Sequence, residues 1–151
     1  MKVYVASSWR NRTQPLVVET LRAWGHEVYD FRHPSPDNHG FRWLEIDQCW
    51  GAWQPLEFIR ALNHPIAKAG FAEDMSALRA ADAVVLLMPC GKSSHLELGW
   101  AAGAGKPTAI LLDGPCEPEL MYKLAGFITA NLAEIGRWLA DEEGVVIKHA
   151  V

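Results

Sequence analysis

The stretch AVVLLMPCGKSSHLELGWA, residues 83–101, decides the fold of this chain. Its continuous apolar run over 83–88 is typical of a buried strand. The residues that follow predict a helix over 94–105, which ends at a glycine, a lysine and a proline. A turn rich in glycine and hydroxyl groups, residues 90–94, therefore joins a strand to a helix.

The same turn predicts a site for an anion. Backbone N–H groups at the start of a helix lack partners within the helix, and the helix dipole favours negative charge there. Gly91, Lys92, Ser93 and Ser94 are the candidate substrate-binding residues of this turn, and the alternative for both serines is simple capping of the helix. Glu97 is expected in the first helical turn, where its carboxylate either caps the helix or, aimed into a cleft, acts as a nucleophile or base.

Two known catalytic motifs match this turn only in part. A phosphate-binding P-loop requires a glycine five positions before Gly91, and Leu86 stands at that position. The nucleophile elbow of serine hydrolases requires a second glycine where this chain has His95. Neither a P-loop nucleotide triphosphatase nor a serine hydrolase is therefore favoured.

Outward from this stretch, predicted strands and helices alternate along the chain. The strands are expected at 2–6, 27–30, 83–88, 108–112 and 127–129. The helices are expected at 13–24, at 43–62 with a break near Gly51 or Pro55, and at 65–80, 94–105, 119–124 and 131–142. This alternation predicts an α/β fold, a doubly wound parallel five-stranded sheet of flavodoxin-like order 2-1-3-4-5 with helices on both faces. A single domain is expected to span 1–151, with a tryptophan-rich insert at 41–62 and a tail or edge strand at 145–151.

The predicted strand order places a crevice between the carboxyl ends of the first and third strands. The loops that flank this crevice are residues 7–12 and 89–97. Ser7, Ser8 and Arg10 lie in the first loop, and the planar donors of arginine suit a phosphate. The alternative is a solvated loop whose arginines pair with surface carboxylates. Two independent observations, the polar composition of both loops and the strand order, thus predict a site at one place.

Composition excludes several classes of protein. The formal net charge of −4 argues against binding to a nucleic-acid polymer. The three cysteines form no CxxC pair, which fits a reducing cytoplasm, and the histidines and cysteines lack a metal-ligand spacing. No apolar run approaches the length that spans a membrane, so neither a membrane nor a metal is an expected partner.

Three of the seven tryptophans, Trp43, Trp50 and Trp53, lie at spacings that would place them on one side of a helix. The favoured interpretation is packing, either in the core or at a contact between subunits. The alternative is a wall on which a nucleobase stacks. A small monomer buries such a surplus of tryptophan with difficulty, so the sequence predicts a homodimer or a higher homo-oligomer.

Four motifs carry a resemblance to a known family: VYVASS at 3–8, EDM at 73–75, ADAVVL at 81–86, and SHLELGWA at 94–101 followed by GKP at 105–107. Over about residues 2–140 the chain resembles the nucleoside 2-deoxyribosyltransferase-like superfamily, which includes nucleotide N-glycosidases. The resemblance implies that Glu97 is the nucleophile or catalytic carboxylate. It also implies that Asp74, which helical period alone would leave as a surface residue, is an acid or a base-binding group. It maps the sugar or phosphate site onto Ser7, Ser8 and Arg10.

One departure from the family pattern bears on the substrate. The turn before Glu97 carries Lys92 and no carboxylate, and a lysine beside helix N–H groups favours a phosphate over a neutral hydroxyl. The tryptophan-rich insert is also atypical.

The function that these residues and the resemblance imply is cleavage or transfer of an N-glycosidic bond in a small-molecule nucleotide or nucleoside. The bond would break through an oxocarbenium-like state, without a metal or cofactor. Water as the acceptor gives a hydrolase, and a second base gives a transferase. The alternatives are a non-catalytic nucleotide-binding sensor module and an NAD-cleaving glycohydrolase. His33, His64 and His95 are equal candidates for supplying a proton.

Overall fold

The computed structural model describes residues 1–149, with side chains described through Gly144. It contains two compact units. The first consists of Met1–Asp30 together with the chain from Ala80 onward, and the second is Phe31–Arg79. The insert expected at 41–62 lies in the second unit. The assignment of the whole chain to a single domain stays a prediction.

The first unit is built on one parallel sheet. Its strands are β1 Lys2–Ala6, β2 Glu27–Tyr29, β3 Ala83–Leu87, β4 Thr108–Leu111 and β5 Phe127–Thr129. Their order is β2-β1-β3-β4-β5, and all four neighbouring pairs are parallel, which confirms the predicted topology. Ala6 pairs with Leu86, so β1 and β3 end within one residue of each other at the same edge. This edge is where the loops predicted to form the crevice begin.

The helices are α1 Gln14–Ala23, α2 Pro55–Ala61, α3 Pro65–Ala80, α4 Lys92–Gly103 and α5 Leu132–His149, with 3₁₀ turns at Trp43–Glu45, Trp50–Ala52 and Leu120–Leu124. Alternate residues of the central strands, such as Val3, Val5 and Val85, form a core with α1 and α5. The intervening residues of the same strands are buried on the opposite face, which α4 contacts. Strand β3 is buried on both faces and is apolar throughout, and β1 and β4 follow the same pattern except for the exposed Lys2 and the buried Thr108.

The carboxyl-terminal helix is longer than the sequence suggested. The α5 helix continues to His149, so the expectation of a tail or edge strand at 145–151 is wrong for residues 145–149. The reason is that no proline interrupts this stretch, and the single Gly144 costs only about 1 kcal/mol relative to alanine, too little to end a packed helix. Residues 150 and 151 lie outside the described part of the chain.

The second unit contains an aromatic cluster centred on Trp43. Its ring makes edge-to-face contacts with Phe41, Trp53 and Phe58, at centroid distances of 4.8, 5.6 and 5.7 Å. Trp50 is 41% exposed. The prediction that Trp43, Trp50 and Trp53 share one side of a helix is wrong, because two 3₁₀ turns and a connecting segment occupy 43–53. For Trp43 and Trp53 the packing interpretation agrees with these contacts.

The helix expected over 43–62 begins only at Pro55. Proline fits the first position of a helix because its missing N–H would be unpaired there. The side chain of Glu57 accepts a hydrogen bond of 2.7 Å from the N–H of Gln54, which fixes this start. Among the described residues, no helix is long and apolar enough to cross a membrane.

Candidate functional site

Three hydrogen bonds join the loop after β1 to the end of β3, to the loop after β3 and to α4. The hydroxyl of Ser7 donates to the carbonyl of Leu87 at 3.0 Å, and the hydroxyl of Ser94 donates to the carbonyl of Ser7 at 2.6 Å. The side-chain amide of Asn11 donates to the carbonyl of Pro89 at 3.1 Å. The two loops that the sequence placed beside one crevice are therefore in direct contact at the carboxyl ends of β1 and β3.

Asn11 is a structural residue of this site that the sequence analysis missed. It is 2% exposed, and its side-chain oxygen accepts hydrogen bonds from the N–H groups of Thr13 (2.9 Å) and Gln14 (3.1 Å). An asparagine just before a helix commonly bonds the backbone two residues further on, and that signal was present in the sequence. Asn11 thus caps the start of α1 while its amide ties the loop to Pro89.

A second buried polar contact lies beneath the same edge of the sheet. The amide of Gln14 donates to a carboxylate oxygen of Asp30 at 2.7 Å, and the two residues are 0% and 7% exposed. Asp30 directly follows β2, so this contact joins the start of α1 to the end of the edge strand. Buried polar groups of this kind hold a loop in one conformation because breaking them leaves a donor or acceptor unpaired.

The α4 helix begins at Lys92, two residues earlier than predicted. Its N-cap residue is Gly91, in an extended conformation with φ −93° and ψ −178°, and no side chain among the described residues caps it. The capping alternative for Ser94 is wrong, because its hydroxyl donates to Ser7 instead. A methyl group added to Gly91 would meet no atom within 4 Å, so the space beside its α-carbon is open.

The earlier start of α4 changes the position of Glu97. The expectation that Glu97 lies in the first helical turn is wrong, because a helix starting at Lys92 places it in the second turn. The dipole effect is concentrated in the first turn, so it favours ionised Glu97 less than the sequence implied. Glu97 is half-buried and follows Ser94 by three residues, so both lie on the same face of α4.

Cys90 lies within the electrostatic reach of Glu97. Burial raises the pKa of the Cys90 thiol to about 11, and the negative charge of Glu97 contributes to the rise. A hydrogen bond with Ser94 acts in the opposite direction and lowers the pKa. Since only a thiolate is a strong nucleophile, Cys90 is an inert thiol at neutral pH. The role of Glu97 as nucleophile or catalytic carboxylate stays a prediction.

The other predicted binding residues differ in exposure. Ser7 and Ser8 are half-buried, and Arg10, Lys92 and Ser93 are exposed. The hydroxyl of Ser8 accepts a hydrogen bond of 3.1 Å from the N–H of Arg10, which orders the backbone of this loop. The assignment of these residues to a substrate site stays a prediction.

Lys92 lines a cleft of about 440 Å³ between α4 and the 3₁₀ turn Leu120–Leu124. The lining is mainly apolar and consists of Lys92, His95, Leu96, Leu98, Gly99, Glu119, Met121, Tyr122 and Leu124. Ser94, by contrast, lies on the face of α4 that bonds the loop after β1. Arg10 is not among the residues that line this cleft, and a single anion pocket formed by Arg10 and Lys92 stays a prediction.

Asp74 belongs to the second unit, where it is half-buried on α3. Its neighbour Glu73 accepts hydrogen bonds from the side-chain amide of Asn38, at 2.9 Å to each carboxylate oxygen. His33 and His64 lie in this unit as well. The partnership of Asp74 with Glu97 stays a prediction. Within the described residues, no group of three or more histidine, cysteine, aspartate or glutamate side chains could hold a metal ion.

No protein-family model and no curated protein sequence matches this chain. Solved structures do match it. The 2-deoxyribosyltransferase of Bacillus psychrosaccharolyticus superimposes with a TM-score of 0.64 at 19% identity, over 90% of each chain. The CMP N-glycosidase BcmB of Clostridium botulinum gives a TM-score of 0.49 at 18% identity, over 93% of this chain and 99% of that one.

The chain has the 2-deoxyribosyltransferase fold. The resemblance drawn from the four sequence motifs is thereby confirmed at the level of fold. An identity of 19% establishes the architecture and leaves the activity to be argued from the residues of this chain.

Proposed function

We propose that this protein cleaves or transfers the N-glycosidic bond of a nucleotide or nucleoside. The observation that carries the proposal is the hydrogen bond from Ser94 of α4 to Ser7 in the loop after β1. Glu97 lies on the same face of α4 as Ser94, close to the carboxyl ends of β1 and β3. Ligands of open α/β sheets bind at such a point, where the chain reverses its direction of winding. The similarity of fold to a 2-deoxyribosyltransferase supports the same class of chemistry.

In this proposal Glu97 acts on the anomeric carbon of the sugar. Breaking an N-glycosidic bond builds positive charge on that carbon, and a carboxylate stabilises the charge or forms a covalent bond to it. The half-buried position of Glu97 limits its hydration, which strengthens its attraction to a developing cation. Asp74 would donate a proton to the departing base or hold the base in place.

The binding residues would divide into two kinds. The hydroxyls of Ser7 and Ser94 already donate to backbone carbonyls, so they would shape the two loops. Ser8, Arg10, Lys92, Ser93 and the backbone at Gly91 would contact the sugar and phosphate. No metal or cofactor takes part. We place the reaction in the cytoplasm, which agrees with three unpaired cysteines.

The test is release of a free base from a panel of nucleosides, nucleoside 5′-monophosphates and NAD, followed by chromatography. A second base added to the reaction distinguishes a transferase from a hydrolase, because only a transferase forms a new nucleoside. Cleavage of NAD in preference to the smaller compounds would identify an NAD glycohydrolase. Tight binding of a nucleotide without release of any base would identify a sensor module and overturn the proposal.

A further inference from the structure

Three groups form a hydrogen-bonded chain beside the amino end of α4. The hydroxyl of Tyr122 lies 2.9 Å from Nε2 of His95, and Nδ1 of His95 lies 2.8 Å from the carbonyl oxygen of Gly91. The rings of Tyr122 and His95 are stacked, with centroids 5.7 Å apart. This chain connects the 3₁₀ turn Leu120–Leu124 to the N-cap residue of α4.

From this geometry we infer that Tyr122 and His95 are positioning residues, which hold the Cys90–Gly91 turn so that the amino end of α4 can receive a phosphate. The inference rests on the function proposed above. It adds a role for two residues that the proposed function does not place against the sugar or phosphate, and it assigns His95 a task other than proton transfer.

The tautomer of His95 follows from its partners. A carbonyl oxygen only accepts hydrogen bonds, so Nδ1 carries the proton and donates it to Gly91. In the neutral imidazole Nε2 is then an acceptor, and the hydroxyl of Tyr122 donates to it. The sulfur of Met88, 3.4 Å from the same hydroxyl, is a weaker acceptor than the imidazole nitrogen.

The surroundings of Tyr122 keep its hydroxyl protonated. Burial raises the pKa of Tyr122, and repulsion from Cys90, Cys116 and Glu119 in their ionised forms raises it further. The group therefore remains a donor at neutral pH. Both nitrogens of His95 have hydrogen-bond partners in this arrangement, which suits a positioning role.

The carbonyl of Gly91 is the point at which this chain acts on the proposed site. Gly91 has no side chain, and a methyl group there would meet no atom within 4 Å, so no side chain of its own anchors this position. A bond to its carbonyl fixes the peptide plane that leads into the first N–H groups of α4. Holding those groups in place beforehand lowers the entropy cost of binding an anion.

The test compares the dissociation constants of a nucleoside 5′-monophosphate and its matching nucleoside, measured by calorimetry so that no turnover is needed. Tyr122→Phe removes only the hydroxyl and keeps the stacked ring. We expect this variant to bind the nucleotide about three- to ten-fold more weakly, which is roughly the effect of one hydrogen bond. Its affinity for the nucleoside should stay within about two-fold of the wild-type value.

Two variants of His95 give a matched control. The amide of His95→Asn sits near the position of Nδ1 and keeps the bond to Gly91, whereas that of His95→Gln sits near Nε2 and loses it. We expect His95→Asn to retain nucleotide affinity better than His95→Gln. Nitrogen-15 NMR of the wild-type imidazole should report the Nδ1–H tautomer.

Equal losses of nucleotide and nucleoside in Tyr122→Phe would show a merely structural role and overturn the inference. An Nε2–H tautomer, or a wild-type protein that binds no nucleotide, would overturn it as well. Failure of the proposed function would give a different result. The wild-type protein would then release no base, while Tyr122→Phe would still weaken binding of the nucleotide more than binding of the nucleoside.

Discussion

Glu97 is the residue on which the proposed chemistry depends most. Glu97→Gln keeps the size of the side chain and removes its charge, so the fold should persist while turnover falls by at least about a hundred-fold, as for loss of a covalent or electrostatic catalyst. The measurement is base release under single-turnover conditions. The exposed Glu19 on α1 provides the control, and Glu19→Gln should leave turnover unchanged. Full activity of Glu97→Gln would remove this residue from the mechanism.

The thiol of Cys90 reports independently on the charge of Glu97. Because burial and Glu97 hold the pKa of Cys90 near 11, its alkylation should be slow at pH 7 and should accelerate as the pH rises toward that value. In Glu97→Gln the repulsive charge is gone, so the pKa of Cys90 should fall and the whole profile should move to lower pH. Mass spectrometry of iodoacetamide-treated protein measures this shift, and the exposed Cys49 provides an internal reference.

Gly91 allows helix stability and anion binding to be separated. Aspartate is a better N-cap than glycine by a few tenths of a kcal/mol, and a side chain fits in the open space at this position, so Gly91→Asp should not destabilise the protein. Its carboxylate would occupy the place proposed for the phosphate and repel it. We expect an unchanged or raised melting temperature together with nucleotide affinity at least about ten-fold weaker. Unchanged nucleotide affinity would contradict an anion site at this helix end.

At the scale of the elements, the strands could be predicted and several helix boundaries could not. Strands β3 and β4 are buried on both faces, and a continuous apolar run between turn residues is a strong signal for that environment. The start of α4 was misplaced because Ser93 and Ser94 are good caps by type. In the structure, Ser94 instead donates a hydrogen bond to Ser7 in the loop after β1. The partner of Ser94 is distant in sequence, so the local pattern could not show that this serine is not a cap.

The prediction of a helix over residues 43–53 was wrong because the spacing of the tryptophans has another cause. The tryptophan spacing matched a helix, yet the side chains pack as a cluster around Trp43 from two 3₁₀ turns. The indole N–H of Trp53 donates to a carboxylate oxygen of Asp47 at 2.6 Å, which fixes the ring from outside any helix. Helical spacing in an aromatic-rich segment is thus weak evidence for a helix when tertiary contacts satisfy the same residues.

The helix α3 contains a glycine whose role can be tested by substitution. A methyl group at Gly70 would lie 2.8 Å from the β-carbon of Phe41, so Gly70→Ala should displace Phe41 from the cluster around Trp43. Gly99 in α4 is the matched control, because a methyl group there meets no atom within 4 Å. Gly99→Ala should raise stability by about 0.5–1 kcal/mol, whereas Gly70→Ala should lower it. Denaturant unfolding followed by tryptophan fluorescence measures both, and a stabilised Gly70→Ala would contradict the close contact.

At the scale of the whole molecule, we expect a homo-oligomer, most simply a dimer. Trp43 and Trp53 belong to the tryptophan surplus that predicts an oligomer, but they contact each other within the second unit, so other side chains must form the contact between subunits. Leu56 and Ile59 on α2 are 66% and 54% exposed, and Phe71 on α3 is 68% exposed. Exposed apolar surface of this kind favours association, because burying it removes it from water.

Light scattering at micromolar protein should therefore give at least twice the mass of one chain. The double variant Leu56→Lys with Ile59→Lys places two like charges on α2 and should yield a monomer with an unchanged far-ultraviolet circular dichroism spectrum, because both side chains are already exposed. Base release by that monomer would then show whether one chain suffices for the reaction. A wild-type protein that is monomeric at this concentration would contradict the expectation, and the exposed face of α2 would need another explanation.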